Sequence, residues 1–181
     1  MNVPDKRDLS VSMLRANILG LALIIPVFLI LTNIYFRLYG SAQIEINGSA
    51  LIFFVVLIVS VVVHELIHGL TAMFFTKQPF STVKFGFNLK TLTPYAHMKT
   101  TLEVTRYRIV VFLPGLILGI IPYILGLALG NIALALFGVI HIIAAGGDWL
   151  ILWLIRKVKP GIMVEDHPTR AGCYVLANPV P

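Results

Sequence analysis

Four stretches of this chain are each long enough to cross a lipid bilayer while carrying almost no charge. They cover residues 16–36, 50–76, 109–129 and 132–155, and their only carboxylates are Glu65 and Asp148. A bilayer core is crossed by about 20 apolar residues in a helix. Inside it, every backbone polar group must be satisfied within the segment, which leaves helices as the solution for single stretches. The expected fold class is therefore an all-α polytopic membrane protein with four transmembrane helices, forming a single membrane domain over residues 1–181. Composition agrees: 58% of residues are hydrophobic and 12% charged, against roughly 25% charged in soluble domains. The first stretch is too long for a signal-peptide core, and no small-residue cleavage site follows it, so it reads as a retained span.

Positive charge sets the expected orientation. Lys6, Arg7 and Arg15 precede the first span, and Arg37 alone lies in the loop after it. Lys77, Lys84, Lys90, Lys99, Arg106 and Arg108 fill the loop 77–108. The Gly130–Asn131 turn has none, and Arg156, Lys157, Lys159 and Arg170 lie in the tail 156–181. The alternation places both termini, the central loop and the tail in the cytoplasm of a multi-pass cell-membrane protein. The basic residues are then topology signals and contacts for anionic lipid of the bilayer. No aromatic-basic interleaving suggests nucleic acid as a partner. In the central loop, residues 81–87 alternate and favour strand, 88–94 supply turn residues, and 96–104 can return, so a short β-hairpin is expected there. Cys173 is the only cysteine, which excludes an intrachain disulfide and reads as a small hydrophobe.

Inside the second span lies His64-Glu65-Leu66-Ile67-His68, an H-E-x-x-H sequence. Residues i and i+4 share a helix face, so both imidazoles can reach one metal ion. Glu65, beside that face, is placed to accept a proton from water. Ionisable groups at membrane depth are costly and mark function. A third protein ligand is needed, and the extended motif does not provide it: Thr71 and Phe74 stand where its Gly and third His would be. Of the later carboxylates Glu103, Asp148, Glu165 and Asp166, only Asp148 lies in a span. Thr76 lies 8 residues past His68 and 12 past His64, and Ile155 lies 7 past Asp148. At about 1.5 Å per residue, all three sit roughly 10–18 Å from their cytoplasmic helix ends.

Ala144-Ala145-Gly146-Gly147 is expected to let the fourth span approach the second closely, and Ser60 extends a small polar stripe one turn before His64. His141, Asp166 and His167 stay open as rival or additional ligands. His97 reads as a contact to substrate or solvent, and Tyr95, Trp149 and Trp153 as interfacial or packing aromatics. A polar cluster that merely stabilises a bundle would have to account for two His, a Glu and an Asp at one depth, each costing about 2–3 kcal/mol if unpaired.

The chain resembles the putative zincin peptidase family of small bacterial membrane proteins, grouped with the site-2 protease class of intramembrane metalloproteases. The resemblance runs from the second span to the tail. It rests on His64-Glu65-Leu66-Ile67-His68-Gly69, Phe112-Leu113-Pro114-Gly115, Gly146-Gly147-Asp148 and residues 165–173. It implies a bacterial plasma membrane, Zn2+ as cofactor, His64, His68 and Asp148 as metal ligands, and Glu65 as the catalytic base. Site-2 proteases usually carry Asn-Pro-x-x-Asp-Gly or Leu-Asp-Gly at the distant Asp. Here Trp149 follows Asp148 and the glycines precede it. The expected activity is zinc-dependent endopeptidase cleavage of a membrane protein or peptide. The rival reading is a metal-binding membrane protein without catalysis, such as a transporter or sensor.

Overall fold

A computed structural model describes residues 6–40, 48–89 and 93–176. Helix α1 (Met13–Tyr39) starts where Ser12 Oγ accepts the Arg15 N–H, and it ends at Gly40, whose φ of 72° no other residue adopts cheaply. Helix α2 (Gly48–Thr76) matches the second expected span. The third span begins five residues earlier than expected, as α3 (Val104–Pro114), because Glu103 caps it by accepting the Thr105 and Arg106 N–H groups. It continues as a π-helical stretch, Gly115–Ile120, into α4 (Ile121–Leu129). The fourth expected span is not one helix. It breaks at Ala145 into α5 (Ile132–Ala144) and α6 (Gly146–Leu154), bent by 47°. Among the described residues, three helices are long and apolar enough to cross a membrane, or four if the bent pair is one span.

Six strands among the described residues correct the expectation of helices with a lone hairpin. The hairpin exists, as β2 (Val83–Asn88) against β3 (Thr93–Met98), with Phe85 opposite Ala96. Its return strand is shorter and earlier than the expected 96–104, and part of its turn, 90–92, lies outside the described residues. A second, four-stranded sheet has the order β1-β6-β5-β4, from β1 (Lys6–Val11), β4 (Leu102–Glu103), β5 (Met163–Asp166) and β6 (Ala171–Leu176). Lys6 pairs with Leu176 and Leu102 with Val164. The segment before α1, the central loop and the tail are thus hydrogen-bonded together at one end of the bundle. Charge counting groups the same three segments, and the sheet joins them.

The main core sits where this sheet meets the helices. Val104, Tyr107, Val110, Ile155, Val164 and Cys173 are essentially inaccessible there. Arg108 does not serve only topology and lipid: its guanidinium donates to the carbonyls of Ile155 and Val158, each at 2.7 Å, and so closes the end of α6. A smaller core of Tyr35, Tyr123, Ala135 and Val139 joins α1, α4 and α5. Gly138 lets α4 and α5 touch, since a Cβ there would stand 2.7 Å from the Tyr123 Cα.

Candidate metal centre

Helix α2 directs His64 and His68 to one face, with ring centroids 5.0 Å apart. Asp148, in the first turn of α6, reaches between them. Its Oδ2 lies 3.0 Å from His64 Nε2 and its Oδ1 3.4 Å from His68 Nε2. The side chains are only 13–14% exposed, so a charge among them is screened weakly by solvent. Nδ1 of His68 donates to the Val110 carbonyl of α3 at 2.9 Å; a carbonyl only accepts, so that nitrogen carries the proton. Glu65 is half-buried beside His64.

The break at Ala145, and not close approach of glycines to α2, aims Asp148. Gly146 faces α1, where a Cβ would stand 3.7 Å from Gly20 Cα, and Gly147 faces open space. At the bend the Trp149 indole donates to the Ile142 carbonyl at 2.8 Å. Trp149 is a packing aromatic: its ring lies against Phe112 and over Gly115.

Among the described residues, His64, His68 and Asp148 are the group whose ligand atoms all lie within 4.8 Å of one another. The other candidates are occupied elsewhere. Ser60 does extend the polar face, and its Oγ lies 2.7 Å from His141 Nε2, while His141 Nδ1 donates to the Phe137 carbonyl. Asp166 accepts from His97 Nδ1 at 3.0 Å, the Met98 N–H at 3.2 Å and the Tyr107 hydroxyl at 2.8 Å. His97 therefore contacts this carboxylate, binding β3 to β5. His167 Nδ1 accepts the Thr169 and Arg170 N–H groups, so its Nε2 donates to Tyr174 Oη at 3.0 Å. Sequence reasoning missed the Val110 carbonyl, which has no residue-type signature, and Tyr107, whose partner is distant in the chain.

The donor set fits a zinc ion. Two ligands each about 2.0–2.1 Å from a tetrahedral ion stand roughly 3.3 Å apart, and the His–Asp separations of 3.0 and 3.4 Å bracket that value. Two imidazoles and a carboxylate suit zinc.

Fold and site together define a protein of membrane-length helices with an internal His/His/Asp group able to hold a metal ion. Its family follows from comparison: a model described as putative zincin peptidase matches residues 57–163, and the chain belongs to that family. Membership points to metallopeptidase function with zinc as cofactor. No curated protein and no solved structure matches the chain.

Proposed function

We propose that this protein is a zinc-dependent endopeptidase of the site-2 protease type, cutting membrane-associated proteins or peptides. The observation that carries the reading is Asp148, delivered by a bent span to within hydrogen-bonding distance of both motif histidines. His64, His68 and Asp148 hold the zinc. When bound, the ion supplies Lewis acidity toward a peptide carbonyl and toward water. Glu65 accepts the proton that water gives up on attack and donates it to the departing amine.

The hairpin supports an extended substrate. Its Phe85 ring lies over Gly69, the residue after His68, where any Cβ would collide with it. Strand β3 packs against the motif helix and toward β5, while β2 reaches that helix through Phe85, which leaves the outer edge of β2 as the side for strand addition by an unwound peptide. The basic residues of the sheet end favour the cytoplasm for that end, a reading under which cleavage falls toward the cytoplasmic face of a bacterial plasma membrane.

The test is zinc content and peptide cleavage of the purified full chain, for wild type, His64→Ala, Asp148→Ala and Glu65→Gln. Wild type is expected to hold one zinc, and the first two variants to lose it. Glu65→Gln should retain zinc and lose cleavage by at least about 100-fold. Retained zinc in both ligand variants, or undiminished cleavage by Glu65→Gln, would overturn the proposal.

A further inference from the structure

The contact between His68 Nδ1 and the Val110 carbonyl, at 2.9 Å, poses a problem of supply. In a regular α-helix each carbonyl is taken by the N–H four residues later. A carbonyl inside α3 should therefore have little to offer a side chain on α2. Four residues after Val110 stands Pro114, which has no N–H. The next N–H, on Gly115, bonds to the Phe112 carbonyl. The helix donor that would normally occupy Val110 is thus missing at the one turn of α3 that faces His68.

We infer that Pro114 is a positioning residue of the metal centre: by withholding a helix donor it leaves the Val110 carbonyl free to hold His68 through Nδ1–H, so that Nε2 is the nitrogen presented to the ion. This rests on the zinc reading above. Local propensity opposes proline here, since alanine is much the better former of a helix interior. The ring is fully buried and lies in the interior of the Val104–Leu129 span, where α3 passes without a break into the π-helical stretch. A carbonyl behind a ligating imidazole fixes the ring's orientation and tautomer, and losing such a partner typically weakens metal binding about 10–100-fold.

Pro114 also works together with its neighbours. The chain relaxes into the π-helical stretch Gly115–Ile120 directly after it, and Gly115 receives the Trp149 ring. Trp149 follows Asp148 and is pinned to the Ile142 carbonyl. The interruption of α3 that frees a carbonyl for His68 is therefore packed against the interruption of α5–α6 that aims Asp148. Two helix faults in contact serve two ligands of one site.

The experiment uses the full chain in lipid nanodiscs. Pro114→Ala restores the missing N–H and is expected to fold, because the substitution favours helix. Pro26→Ala removes another intrahelical proline, in α1, and controls for generic effects. Zinc affinity, read by competition with a chelating dye, should fall about 10–100-fold in Pro114→Ala and stay at the wild-type value in Pro26→Ala. In 15N-histidine-labelled protein, the Nδ1 proton of His68 should be present and slow to exchange in wild type, metal-free and zinc-loaded alike. It should exchange faster in Pro114→Ala. Equal zinc affinity in Pro114→Ala and wild type overturns the inference, and so does a wild-type His68 whose Nδ1 carries no proton. A wild type that takes up no zinc overturns the functional reading instead, and the Nδ1 proton of the metal-free protein still decides this one.

Discussion

The Trp149 ring occupies the space that a side chain on Gly115 would need: a Cβ there would lie 2.5 Å from the edge of the indole. Gly115→Ala should force Trp149 off the Ile142 carbonyl and cost about 1–3 kcal/mol through overpacking. Thermal unfolding in detergent measures the loss. Because Trp149 adjoins Asp148, zinc retention should drop in the same variant, whereas alanine at Gly147, which faces open space, should leave zinc unchanged.

Two partly buried carboxylates make opposite predictions. Asp166 bonds to His97, Met98 and Tyr107, so Asp166→Asn should destabilise the fold by about 1–3 kcal/mol and keep its metal. Asp148→Asn should lose metal binding. Paired measurements of unfolding and zinc content separate the two roles, and zinc loss in Asp166→Asn would count against this division.

Acid sensitivity should trace in part to Glu103. Partial burial opposes its ionisation, but hydrogen bonds from the Gly161, Thr105 and Arg106 N–H groups and the Thr105 hydroxyl outweigh that and hold its carboxyl below the usual range. A carboxyl depressed in the folded state contributes stability above its unfolded pKa and loses it as the pH falls through the folded one. Wild type should therefore be more stable than Glu103→Gln at neutral pH, with the difference shrinking below about pH 4. Melting curves of both proteins across that range provide the check.

Burial, with Asp166 and Asp8 nearby, pushes the Cys173 thiol up to about 12. Only thiolate reacts readily, so maleimide should leave Cys173 unmodified at neutral pH until β6 comes apart. Mass spectrometry of labelled protein before and after denaturation tests this, and labelling of the native protein at the rate of a free thiol would contradict it.

The spans were readable because each is encoded locally, in an apolar run bounded by charge or, between the third and fourth, by the Gly130–Asn131 turn. Pairing Asp148 with the motif histidines was also within reach, since two helices running the same way put equal offsets at equal depth. The mechanism of that pairing was not. Ala144–Gly147 reads in sequence as a surface for close packing, and the bend at Ala145 depends on Trp149 finding the Ile142 carbonyl and Gly115. The four-stranded sheet was hidden for a different reason. Its strands are short, and β1 and β4 gain meaning only from partners at the far end of the chain. The start of α3 was misplaced because Arg106 and Arg108 looked like loop charges, whereas Glu103 and the carbonyls of Ile155 and Val158 make a polar first turn affordable.

The pairing of Lys6 with Leu176 encloses nearly the whole chain in one loop. Closing so long a loop costs chain entropy, and α1 to α6 all lie inside it. The strands therefore meet only where the helices bring both ends of that loop to one end of the bundle. Asp166, at the end of β5, fastens His97 and Tyr107 there. A joined sheet thus reports that the spans between its strands have been placed.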